Sequence, residues 1–113
     1  MNINDYTLED LINIKDQALA RAKAASLTYL DENGEDPWCG FAWVNIYGIK
    51  GSTKLGRKMK EAGFEKDYSG AYSIWNPSGL GTQSISVKEA GALEAAKVFR
   101  QANFNCFAGS RLD

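Results

Sequence analysis

Histidine is missing from all 113 residues. That removes imidazole acid/base chemistry, the Ser-His and Cys-His nucleophile pairs and most catalytic zinc sites. Cysteine is scarce: Cys39 and Cys106 lie too far apart for a CxxC pair and are too few for a metal quartet, so reduced, structural thiols of a cytosolic protein are expected. Neither has a histidine to lower its pKa for nucleophilic work. Two prolines and eleven glycines exclude collagen-like or linker-dominated chains. No apolar run approaches the roughly 18 residues of a membrane span, and MNINDYTLEDL has neither the basic nor the apolar segment of a secretory signal. The expectation is a single cytoplasmic domain with no membrane partner and no cofactor. Asp31, Asn33 and Glu35 have the alternate spacing of a calcium loop, but Asp36 stands where that loop needs glycine and Ala42 where it needs glutamate, so no metal is expected.

What is present is segregated charge. The net charge is −1, yet residues 1–36 carry eight acids against three bases, net −5, and residues 37–49 carry none. Residues 50–66 hold Lys50, Lys54, Arg57, Lys58, Lys60 and Lys66 against Glu61 and Glu65, net +4. A global field for polyanions is therefore absent, while a local basic patch is available.

Between Thr7 and Leu30 apolar residues recur at three-to-four spacing, which predicts one long amphipathic helix, with Thr7 as cap and Asp10 three places on. DENGEDP then breaks the chain, dividing it into an N-terminal helix with acidic linker (1–36) and a second unit (37–113). In CGFAWVNIYGI, Ala42, Val44 and Ile46 alternate with Phe41, Trp43, Asn45 and Tyr47, predicting a central strand apolar on both faces. Ser52 or Thr53 can cap a short helix with Leu55, Met59 and Ala62 inside, stopped by Gly63. FEKDY and AYSIW, flanking Ser69-Gly70, read as a hairpin. A glycine-rich loop leads to a second helix, for which Ser86 and Glu89 form a capping box and Val87, Gly91, Ala95, Val98 and Ala102 the inner stripe. FNCFAG closes as a strand. After residue 38 the order is strand, helix, strand, strand, helix, strand, so the expected fold class is α+β, a ferredoxin-like βαββαβ domain with a four-stranded antiparallel sheet and an extra N-terminal amphipathic helix.

Such a sheet has one face free of its own two helices. Phe41, Trp43, Asn45 and Tyr47 would share it with Trp75 or Tyr72 and with Phe107 or Cys106, according to register. The plainest expectation lays the N-terminal helix over this face to bury its stripe; otherwise the face, the helix, or both meet a protein partner or a second copy. Nucleic acid is the alternative partner, with bases stacked on the aromatics and phosphates held by Lys54, Arg57 and Lys58, although the KGFGFV signature of RNA-recognition domains does not occur. Two weaker sites complete the reading. Ser78, Gly79, Gly81, Thr82 and Ser84, with Gln83, form a glycine-rich loop entering a helix N-terminus, where an anion can bind. GIKGSTK lies where acylphosphatases of this fold bind phosphate, but Lys50 and Lys54 replace their loop arginine and Asn76 lies at a strand end, so the resemblance to such a small hydrolase is in position and not in motif.

PWCGFAWV, IWNPSGLGTQS, KEAGA and the ending SRLD resemble short conserved proteins of tailed bacteriophages, over residues 37–113. The resemblance implies a phage-encoded accessory or inhibitor protein that binds a host component in the bacterial cytoplasm. It implies no activity and no site residues, and no catalytic residue is assigned from it.

Overall fold

The computed structural model describes residues 2–113. After a single 3-10 turn at Ile3–Asp5, Thr7 opens the first helix with a reciprocal cap. Its hydroxyl accepts from the Asp10 N–H at 3.1 Å and its own N–H donates to the Asp10 carboxylate at 2.9 Å. This helix, α1, runs Leu8–Asn33 and ends at Gly34, whose φ of +71° favours glycine. The elements that follow are β1 (Gly40–Tyr47), α2 (Lys54–Glu61), β2 (Glu65–Lys66), β3 (Tyr72–Trp75), α3 (Ile85–Gln101) and β4 (Asn105–Leu112). Thr53 caps α2, as its hydroxyl accepts the Gly56 N–H.

Three boundaries differ from expectation, each for a local reason. β2 is two residues long because one oxygen of Asp67 accepts the N–H groups of Ser69 and Ala71, turning the chain before a longer strand can form. β4 continues through Arg111 and Leu112, which pair with Phe41 and Gly40. Ser84, not Ser86, caps α3, accepting from the Val87 N–H. Ser86 turns instead to the Asp36 carboxylate.

Over the described residues the chain is thus mixed α+β, with three α-helices and one antiparallel sheet in the order β2-β3-β1-β4. Strand alternation puts Ala42, Val44 and Ile46 on one face, joined there by Tyr72, Ile74 and Cys106, all buried. The helices pack on this face, adding Leu55, Met59, Ala95, Val98 and Phe99 to a core that also includes Leu11, Ala18 and Ala22 of α1.

The expected lid of α1 over the aromatic face is overturned. α1 packs along α3 and touches α2, so its stripe is buried on the helical side of the sheet. α3 makes this possible by being buried on two sides: Ile85, Val87, Gly91, Ala92, Ala95, Ala96, Val98 and Phe99 form a band wider than one stripe, with the sheet beneath and α1 above. At the crossing, a Cβ on Gly91 would stand 2.6 Å from Ser26 Oγ and 3.1 Å from the Ala22 carbonyl oxygen. Ser26 is fully buried there and donates to the Val87 carbonyl at 2.6 Å. Burial of Leu11 alone stabilises this docking by about 2 kcal/mol.

Candidate functional site

The face opposite the helices is aromatic and uncovered. Odd positions of β1 point there, and the register sets Trp43 against Trp75 on β3 and Gly109 on β4, Asn45 against Ser73 and Phe107, and Phe41 against Arg111. The Trp43 and Trp75 rings lie parallel, 1° apart in plane with centroids 5.6 Å apart, and Phe41 lies 5.4 Å from Trp75. Tyr47 and Phe107 form a second pair at 6.2 Å. Trp75 is 56% exposed and Phe107 60%, which in a 12.4 kDa chain is a large apolar patch.

Gly109 shapes the patch. A Cβ there would meet Trp43 Cε2 and Nε1 at 2.6 Å, so the missing side chain is what allows the indole to lie on β4. Between the two ring groups sits Asn45, whose Nδ2 donates to the Tyr47 hydroxyl at 3.2 Å. Its Oδ1 is buried without a partner.

Charge lies at the ends of this face and not in its middle. The Arg111 guanidinium stands 5.5 Å from the Phe41 ring centre, and Lys88 Nζ reaches round the end of β1 to 5.4 Å from the same ring while donating to the Gly40 carbonyl. Diagonally across, Glu65 faces Ser73 and Asp67 follows in the hairpin turn. The Ser69 hydroxyl and neighbouring backbone N–H groups hold the Asp67 carboxyl below the usual carboxylate range. A trough of about 450 Å³ runs from Asp67 and Tyr68 to Arg111, floored by Trp43, Asn45, Ser73 and Trp75. A second groove of about 550 Å³ lies between α1 and the β3 edge, lined by Lys15, Lys23 and Glu65 among others; Lys15 donates to the Ala62 and Gly63 carbonyls.

Of the sequence-predicted residues, Phe41, Trp43, Tyr47 and Trp75 come together on the open face. Tyr72 does not. The pairing Ile46↔Tyr72 turns it to the helical side, where its hydroxyl donates to the Gly56 carbonyl at 2.9 Å and burial pushes its pKa up. Lys54, Arg57 and Lys58 are also not brought to the aromatics, because Leu55 and Met59 dock α2 on the opposite face. Lys58 there donates to the Tyr6 carbonyl and Arg57 to that of Ser52.

The glycine-rich loop is occupied by the chain itself. Thr82 donates to Glu35 at 2.8 Å, and Ser84 and Ser86 both donate to Asp36 at the α3 N-terminus. Those two hydroxyls, Ser84 first, hold the Asp36 carboxyl below its ordinary value, so an internal carboxylate takes the place expected for a bound anion. Ser78 is buried and donates to Asn76 Oδ1; Gly79 supplies a φ of +69°, and Gly81 faces open space. The acylphosphatase-like set is split as well. Asn76 bonds to Ala42 near the start of β1, with its amide closing on Leu80, whereas Lys50 and Lys54 follow the other end of that strand. Among the described residues no group of three or more Cys, Asp or Glu could hold a metal ion.

The residues that sequence reasoning missed are Arg111, Lys88, Tyr68 and Gly109. Parity from Phe107 would place Gly109 and Arg111 on the open face once β4 is known to extend to Leu112. Lys88 and Tyr68 arrive by tertiary packing and carry no local signal. No protein-family model matches the chain, and no curated protein or solved structure is significantly similar to it.

Proposed function

We propose that this chain is a non-enzymatic binding protein whose open aromatic face docks on a protein surface. One observation carries the reading: the three helices all pack on one side, leaving two ring groups, Phe41–Trp75–Trp43 and Tyr47–Phe107, on the uncovered other face. Aromatic rings at the centre with charges at the margin are the composition of a protein interface. Two bases balanced by two acids favour a protein over a polyanion. α1 is engaged in the core and contributes to the face by leaving it bare.

The order βαββαβ after α1, with β4-β1-β3-β2 across the antiparallel sheet, supports a ferredoxin-like assignment with one added helix. The phage-protein resemblance over residues 37–113 supports an accessory or inhibitor role in a bacterial cytoplasm. No helix among the described residues is long and apolar enough to cross a membrane.

Immobilised wild type, Trp75→Glu and the triple variant Lys54→Glu/Arg57→Glu/Lys58→Glu should be compared for capture from a bacterial lysate. The reading expects bound protein to be lost with Trp75→Glu and kept by the triple variant, with little salt dependence. Loss with the triple variant alone, with steep salt dependence, would overturn it in favour of nucleic acid.

A further inference from the structure

We infer that the occupant of the aromatic face is a second copy of this chain, seated two-fold across the diagonal of the sheet. This rests on the face being an interface, as proposed above. A two-fold interface applies one patch to itself, so a basic group at one corner can be matched by an acidic group at the opposite corner of the same patch. This face has that arrangement. Arg111, beside Phe41 on β4, marks one corner, and Glu65 with Asp67, on and after β2 at the other edge, marks the diagonal corner. A two-fold axis lying in the interface across that diagonal sets the basic corner of each copy on the acidic corner of the other. Among the described residues the one salt bridge is Lys97–Glu94, so Arg111 and Glu65 have no ion pair within the chain to give up.

The same operation accounts for Tyr68, which projects fully exposed from the hairpin tip at the acidic corner. In the pair it comes to Phe41 and Arg111 of the other copy, giving aromatic and cation–π contact. The trough runs along this diagonal, from Asp67 and Tyr68 to Arg111, with Trp43 and Trp75 near its middle, where the two copies are closest. At about 3.4 Å per residue the face is roughly 27 Å long on β1 and β4 and narrows along the shorter β3 and β2, so the pair belongs with the smaller, weaker interfaces.

The full chain should be examined by sedimentation equilibrium from nanomolar to high micromolar concentration, reading mass against the 12.4 kDa of one chain. The expected result is a dimer with a dissociation constant on the order of micromolar. Arg111→Glu should weaken it about tenfold or more, since the introduced carboxylate then faces Glu65 of the other copy, and Arg111→Glu/Glu65→Arg should restore it by re-forming that pair with its charges exchanged. Trp75→Glu should abolish it, with circular dichroism showing that each variant is folded. A wild type that stays monomeric throughout overturns the inference, as does a dimer that ignores both Trp75→Glu and Arg111→Glu. A monomer that still loses its lysate partner with Trp75→Glu leaves the aromatic face an interface for another protein; a monomer that captures nothing removes both readings.

Discussion

Gly109→Ala is a one-methyl test of how the aromatic face is built. The backbone at 109 is not in the left-handed region, so alanine is tolerated there, and replacing a strand glycine adds about 0.5–1 kcal/mol of stability. Against this stands the indole of Trp43, whose Cε2 and Nε1 would be 2.6 Å and whose Cζ2 2.8 Å from the new methyl. Those atoms belong to the body of a rigid ring, so the ring must tilt away. Tilting ends its parallel contact with Trp75, at a cost of about 0.5–1.5 kcal/mol, and an off-rotamer indole adds about 0.5–1.5 kcal/mol. Setting the gain against the losses leaves a destabilisation of about 1 kcal/mol, or about 4 °C in Tm for a chain of this size. The optical signature should be far larger than the thermal one. Two indoles held in fixed apposition give near-ultraviolet circular dichroism, which should change in Gly109→Ala together with self-association. Gly81→Ala is the control: nothing lies within 4 Å of its added Cβ and its φ is not positive. If Gly109→Ala keeps the wild-type near-ultraviolet spectrum, the indole does not lie on β4 and the description of the site fails.

Two further substitutions test the packing that leaves the face bare. Gly91→Ala gains about 1 kcal/mol of helix propensity but drives a methyl to 2.6 Å from Ser26 Oγ, spreading α1 from α3 and breaking the Ser26–Val87 hydrogen bond. A net loss of about 2–4 kcal/mol in urea unfolding is expected, and a stabilised variant would refute the close crossing. Asp36 is held ionised by Ser84 and Ser86, so its contribution is present above the usual carboxylate value and lost as pH falls through the lowered one. Asp36→Asn should therefore be less stable at neutral pH and show a flatter stability profile below about pH 4; an acid limb identical to wild type excludes the clasp.

Part of this architecture is legible in the sequence alone. The alternation of Ala42, Val44 and Ile46 with Phe41, Trp43 and Tyr47 is a period of two, which local sequence reports directly. The choice between Tyr72 and Trp75 was not legible, because they have opposite parity on one short strand and both are aromatic. Only the pairing of Val44 with Ile74 decides it. Ser84 and Ser86 are equally good caps by type; the distinction comes from Asp36, 48 residues away in sequence. The place of α1 was hidden for a related reason. Its stripe of Leu11, Ala18 and Ala22 reads the same whether it meets a sheet or a helix. The telling residue is on α3: Gly91, which its spacing assigns to the inner stripe, instead meets Ser26 and the Ala22 carbonyl of α1.

Gly91 and Gly109 form a pair on opposite sides of the sheet. Each sits in the interior of a regular element with φ negative, where alanine would favour the local structure by roughly 0.5–1 kcal/mol. Neither residue is there to permit a turn. Gly91 brings α1 against α3, which gives the long helix a burial site on the helical side and removes the one element able to cover the aromatics. Gly109 lets Trp43 lie flat, which turns a row of protruding rings into a continuous platform joining Trp75 to Arg111. Local propensity alone would favour filling both positions; the contacts of Ser26 with α3 and of Trp43 with β4 are what forbid it, and a core formed from the helical side does not need the second. A chain that keeps Gly109 at a cost in strand propensity, and keeps Arg111 and Glu65 free of ion pairs within itself, has a face whose features make sense in contact with another surface. The diagonal placement of its charges makes its own copy a surface that fits.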